Sequence, residues 1–179
     1  MLEVKSMNDF AHINLLIRQH ALKIAQDGEV FTLSSGKESR YYFDLRQLHF
    51  NPKYLYRLVN ALWTKIICKG WRFDRFGGPS IGADPLVCGL TQFLGKWPVE
   101  CESFLIRKEA KIHGTGGKIV GNVSKGNRCI IIEDVTTTGE SALKAIEAVV
   151  EVGATVEAVV SVLDRQEICK RLKEVYERE

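Results

Sequence analysis

No apolar run in this chain approaches the roughly 20 residues that span a bilayer, and Met1–Ala11 carries acids and has no apolar signal core. The expectation is a cytoplasmic protein with no membrane partner. Cysteine is scattered: Cys68, Cys88, Cys101, Cys129 and Cys169 are odd in number, widely spaced and form no Cys-x-x-Cys pair. That pattern argues against a disulfide framework or a zinc site and for reduced thiols. An excess of one sign of charge is also lacking, with 25 Lys and Arg against 22 Asp and Glu. A formal net charge of +3 makes no global demand for nucleic acid, so any anion site must come from local clustering. Internal repeats, low-complexity tracts and linkers are missing as well. What remains, 179 residues with 45% hydrophobic and 26% charged content, is one domain long enough to bury a real core.

Apolar residues recur at helical spacing from Asn8 to about Gln26 (Phe10, Ile13, Leu16, Ile17, Ala21, Ile24), and Asp27-Gly28 supplies a stop. Short extended pieces are expected at Val30–Leu33 and Arg40–Leu45 around a Ser34-Ser35-Gly36 turn. Asn51-Pro52 suits a helix start, and Tyr54–Cys68 forms the helix that Lys69-Gly70 ends. Strands and helices then alternate: Arg72–Phe76, a glycine turn, Pro85–Leu94, Val99–Ile106, Arg128–Glu133, Ser141–Val152, Thr155–Leu163 and Glu167–Glu174. Near-continuous apolar strands such as Cys129–Ile132 predict an α/β fold, a central mostly parallel sheet flanked by helices. Ligands of such sheets lie beyond the carboxyl ends of the strands.

There the chain places Ile130-Ile-Ile-Glu-Asp-Val-Thr-Thr-Thr-Gly-Glu-Ser-Ala142, an apolar strand, two acids and a hydroxyl/glycine turn that opens a helix. Unpaired N–H groups and the positive dipole end at a helix N-terminus cradle phosphate without a cationic side chain. Gly139 lets the backbone approach closely. Glu133 and Asp134 supply acceptors for ribose hydroxyls and negative charge for a cationic ring. The combination points to a phosphorylated sugar. The stretch Arg107–Gly117 fits no element and is expected to be a mobile basic loop, with Arg107, Lys108, Lys111 and His113 before a run of glycines. A cradle plus a cationic loop suits a substrate with two separate phosphate groups. A second turn, Gly77-Gly78-Pro79-Ser80-Ile81-Gly82-Ala83, offers further N–H groups but has neither a Walker ending nor the spacing of a dinucleotide fingerprint.

The 130–142 stretch resembles the phosphoribosyl diphosphate signature of type I phosphoribosyltransferases. Arg107-Lys-Glu-Ala-Lys-Ile-His-Gly114 resembles the catalytic loop of the orotate phosphoribosyltransferase family, and Phe31–Asp44 resembles that family's N-terminal hood. The resemblance covers about residues 28–167. It implies a phosphoribosyltransferase domain over residues 1–179, with a small hood to about residue 46 and the core from about 47.

It also implies transfer of the phosphoribosyl group from phosphoribosyl diphosphate to N1 of orotate, giving orotidine 5′-monophosphate and diphosphate for pyrimidine synthesis. By the same resemblance Arg107, Lys108, Lys111 and His113 contact the diphosphate, with Lys111 and His113 serving the leaving group. Glu133, Asp134, Val135, Thr136, Thr137, Thr138, Gly139, Glu140 and Ser141 hold the ribose and its 5-phosphate, with Asp134 counted among the catalytic residues. Thr137 and Arg165 touch orotate, and Tyr42 and Phe43 line its pocket from the hood. Mg2+ arrives with the substrate instead of occupying a protein cage, and a homodimer shares the basic loop across subunits.

Ser34 and Gly82 stand where some members carry diphosphate-binding lysines. His12, His20 and His49 are expected to be surface or packing residues. A purine phosphoribosyltransferase and a regulatory RNA-binding protein on the same fold are the alternatives, separated by the base pocket and by a basic outer face respectively.

Overall fold

The computed structural model describes residues 6–33, 36–109 and 117–165. Lys111 and His113 of the basic loop, Ser34, Cys169 and the helix expected at Glu167–Glu174 lie outside them.

The chain opens with helix α1 (Ser6–Leu16), which widens into a π-helical turn at Ile17–Ala21. Four short strands follow: β1 (Leu22–Ile24), β2 (Phe31–Thr32), β3 (Glu38–Ser39) and β4 (Tyr41–Phe43). β1 pairs antiparallel with β4, Leu22 opposite Phe43, and β2 pairs antiparallel with β3. The helix expected to reach Gln26 therefore ends at Ala21. Its apolar stripe also breaks there, because Ile24 is exposed. A ladder to residues about twenty positions away decides this segment, and helical periodicity carries no signal of it.

After a short helix α2 (Arg46–His49), α3 (Pro52–Lys69) follows the sequence expectation closely. The Asn51 side chain accepts hydrogen bonds from the N–H groups of Lys53 and Tyr54, Pro52 fills the first turn, and Gly70 closes the helix in the left-handed region. The remaining elements are β5 (Arg75–Pro79), α4 (Asp84–Leu94), β6 (Glu102–Ile106), β7 (Ile119–Gly121), β8 (Arg128–Thr136), α5 (Glu140–Glu151) and β9 (Thr155–Asp164). Several expected boundaries move. Gly77, Gly78 and Pro79 belong to strand β5, which leaves Ser80–Ala83 as the turn, and Asp134–Thr136 extend strand β8.

β5, β6, β8 and β9 form a parallel sheet in the order β6-β5-β8-β9, and β7, absent from the sequence expectation, adds an antiparallel edge beside β6. The fold is thus a mostly parallel α/β sheet between helices. Alternation along β8 assigns its residues to two cores. Ile130 and Ile132 pack with Leu58, Leu62, Leu86 and Leu90 of α3 and α4, whereas Cys129 and Ile131 pack with Ala145, Ala148 and Val149 of α5. Ile13, Leu16, Ala21 and Leu45 from the N-terminal region join the α3/α4 core, so that region is seated on α3 by apolar packing.

Candidate active site

The chain leaves β5, runs outward to β6 and β7, and returns past β5 to β8, so the strand order reverses between β5 and β8. A crevice opens beyond the carboxyl ends of strands at such a reversal. Here it is a cleft of about 550 Å3, floored by the end of β8 and the start of α5, with Ser80 after β5 and Arg107 and Lys108 after β6 on the facing wall.

The helix start is the centre of this cleft. Gly139, at φ +78°, holds the residue before α5 in the left-handed region, and no side chain caps the helix. The first intrahelical bond runs from the Leu143 N–H to the Gly139 carbonyl, leaving the N–H groups of Glu140, Ser141 and Ala142 without an acceptor one turn back. α3 uses Asn51 for that purpose. At α5 an incoming anion can take the place of the cap.

Of the residues singled out from the sequence, Arg107, Lys108, Glu133, Val135, Thr136, Thr137, Thr138, Gly139, Glu140 and Ser141 line the cleft together. Asp134 does not. The two acids project to opposite faces of β8: Glu133 follows Ile131 toward the α5 side, and Asp134 follows Ile132 toward the turn after β5. The Asp134 Oδ1 accepts the Val135 N–H at 2.7 Å, and a Cβ on Gly82 would stand 2.6 Å from that same oxygen. Phe43 and Arg165 come together beside the N-terminal strands, whereas the Tyr42 ring packs on Phe31 with centroids 5.6 Å apart. The Arg165 guanidinium lies 5.8 Å from the Phe43 ring centroid and donates to the Ser39 hydroxyl at 3.3 Å, while its backbone N–H is held by the Thr136 carbonyl at 2.9 Å. Thr136 in turn bonds Ser161 through its hydroxyl at 2.6 Å.

Glu133 is buried, and one of its carboxyl oxygens has no hydrogen-bond partner. Burial, followed by the negative charge of Asp134, pushes its carboxyl up to about 8. Before any substrate arrives it holds its proton at neutral pH, where residue type alone suggested two ionised acceptors. On the hood side, Asp44 is buried between Lys23 (3.0 Å) and Arg46 (2.7 Å), and the hydrogen bond from Arg46 holds its carboxyl far below the usual range. His49 is buried with neither ring nitrogen bonded, and desolvation lowers its basicity, in keeping with a packing residue.

Two cleft cations escaped the sequence reading. Lys118 reaches the wall through the β6–β7 pairing, which no periodicity in the sequence marks, and its carbonyl accepts the Arg107 N–H at 2.9 Å. Lys144 lies four residues after Glu140 and pairs with it at 2.7 Å, a spacing that was visible in the sequence. Among the described residues no three His, Cys, Asp or Glu side chains come together as a metal cage. The partnerless Glu133 oxygen faces the cleft while Asp134 lies on the opposite face of β8, so the two form no joint metal site, which fits magnesium carried in by a ligand.

An uncapped helix start at the sheet reversal, faced by basic residues, defines a phosphate-binding α/β protein, and residues 51–178 match the family described as "Phosphoribosyl transferase domain". The chain belongs to the phosphoribosyltransferase family. Curated relatives include the orotate phosphoribosyltransferase of Aquifex aeolicus, 42% identical over 85% of this chain and 81% of that protein, and that of Pyrococcus furiosus, 36% identical over 88% and 82%. Among solved structures, Mycobacterium tuberculosis orotate phosphoribosyltransferase in complex with 5-phospho-α-D-ribosyl 1-diphosphate superposes with a TM-score of 0.70 at 30% identity, covering 94% of this chain and 91% of that one.

Proposed function

We propose that the chain is an orotate phosphoribosyltransferase, a pentosyltransferase that moves the phosphoribosyl group from phosphoribosyl diphosphate to N1 of orotate. The observation that carries this reading is the uncapped N-terminus of α5 opening into the cleft between the ends of β5 and β8. The N–H groups of Glu140–Ala142 hold the 5-phosphate there, with the hydroxyls of Thr136–Thr138 and Ser141 around it. Arg107 and Lys108 take the diphosphate on the opposite wall, joined by Lys111 and His113 of the basic loop. Orotate lies toward the hood, where Phe43 and Tyr42 offer ring faces and the Arg165 guanidinium meets a planar carboxylate.

Breaking the C1–O bond leaves an oxocarbenium-like sugar and a highly charged diphosphate, so pre-placed charges of opposite sign supply most of the rate enhancement. Asp134 acts on the cationic side. Glu133, a neutral acid until substrate arrives, donates to a ribose hydroxyl or gives up its proton as positive charge enters. Mg2+ carried in with the diphosphate would supply charge neutralisation of the leaving group, while the Glu133 and Asp134 carboxyls act on the sugar and not as a metal cage. Orotate is an anion at neutral pH and attacks without a strong general base.

The same reading includes a cytoplasmic homodimer in which the basic loop of one subunit closes over the other's site and excludes water during the reaction. No helix among the described residues is long and apolar enough to cross a membrane. A spectrophotometric assay that offers orotate, adenine, hypoxanthine and uracil in turn with phosphoribosyl diphosphate and magnesium tests the reading. Turnover with orotate alone is expected, and turnover with a purine would replace it.

A further inference from the structure

Lys144 stands outside the signature stretch, on the second turn of α5, yet it lines the cleft. Its side chain runs back toward the helix start, as long side chains on helices do, and its ammonium lies 2.7 Å from the carboxylate of Glu140, the first residue of α5. A cation is thereby held beside the uncapped N–H groups. Glu140 presents a problem that Lys144 solves. A carboxylate in the first turn favours the helix dipole, but it also competes with a phosphate dianion for the same positive end.

We infer that Lys144 is a phosphate-binding residue of this chain, stored on Glu140 until substrate arrives and transferred to the 5-phosphate of the sugar on binding. The inference rests on the phosphoribosyl reading above. Both partners of the pair are more than two-thirds exposed, at 69% and 67%, so the pair itself is weak and its exchange for a phosphate is easy. A phosphate oxygen offers the ammonium a charge-assisted bond, and the helix N–H groups keep the anion within reach of a flexible four-carbon stem. Lys144 lowers the Glu140 carboxyl, which agrees with a carboxylate that stays ionised and releases its partner without taking a proton. The device selects for phosphorylated over unphosphorylated pentose, because the lysine leaves Glu140 only for a stronger anion.

The test is calorimetric titration of the full chain with ribose 5-phosphate, in wild type, Lys144→Met, Glu140→Gln and the double variant. Lys144→Met is expected to weaken binding about tenfold, the scale of one charge-assisted hydrogen bond. Glu140→Gln, which frees the lysine and removes a competing charge, is expected to tighten it severalfold. The deciding comparison is made on the Glu140→Gln background, where adding Lys144→Met should again weaken binding about tenfold. Equal affinity of Glu140→Gln and the double variant would reduce Lys144 to a neutraliser of Glu140 and overturn the inference. Failure of wild type to bind ribose 5-phosphate at millimolar concentration would overturn both the inference and the phosphoribosyl reading. Binding that is indifferent to Lys144 sinks the inference alone.

Discussion

The carboxylate of Asp134 occupies the space that a side chain on Gly82 would need, since a Cβ built there would stand 2.6 Å from Oδ1 and 2.8 Å from the carboxyl carbon. The turn after β5 and the end of β8 therefore meet closely at Gly82 and Asp134, and a side chain at position 82 would require the Asp134 carboxylate to shift. Asp134 cannot swing aside freely, because its Oδ1 is held by the Val135 N–H.

Gly82→Ala is accordingly expected to preserve the fold and to damage the site. The substitution should leave the melting temperature within about 3 °C and lower kcat by about tenfold or more through a misaimed Asp134. Steady-state kinetics beside a thermal melt checks it; unchanged turnover would show that the carboxylate orientation is immaterial.

Glu133 provides a pH signature. Its folded carboxyl, raised to about 8 by burial and by Asp134, keeps its proton while the unfolded chain loses it near 4.5. Stability from this group is complete below about 4.5 and is lost as pH rises through 8. Glu133→Gln should match wild type in melting temperature at pH 4, gain a few degrees on it between pH 5 and 8, and hold that gain above. Phosphoribosyl diphosphate with magnesium should also release protons from wild type at pH 7, seen as a dependence of binding enthalpy on buffer ionisation, and the Gln variant should not show it.

Arg165 is tied to the hood through Ser39 and to β8 through Thr136. Arg165→Ala is expected to raise KM for orotate by about tenfold to a hundredfold, the loss of one paired carboxylate, with KM for phosphoribosyl diphosphate changed by less than about threefold. Equal effects on both substrates would move Arg165 out of the base pocket.

Asn51→Ala serves as a structural control at the other kind of helix start. Losing a cap that accepts two N–H groups should cost about 1 kcal/mol and lower the melting temperature by about 2–4 °C, with kcat/KM unaffected. A loss of activity would show that the α3 start communicates with the cleft.

Local chemistry carries much of this molecule in a readable form. The boundaries of α3 follow from Asn51, Pro52 and Gly70, and the uncapped start of α5 follows from Thr136–Gly139 before an amphipathic helix, because capping and turn conformations depend on residues within a few positions. The continuous run Cys129–Ile132 likewise announced a strand buried on both faces. Pairing across long separations stayed hidden. β1 looked helical until Leu22–Ile24 met Tyr41–Phe43, and β7 is three residues long and defined only by its partner β6.

The site divides along the same line. Residue types and order by themselves determined the glycine-led start of α5 and the two acids that precede it, since each of those properties belongs to a short segment. Only the tertiary structure decided that Glu133 and Asp134 face opposite sides of β8, that burial raises the Glu133 carboxyl, and that Lys118 lines the cleft. The reason is physical: strand alternation separates neighbours in sequence, and burial and electrostatic fields arise from elements brought together across the chain.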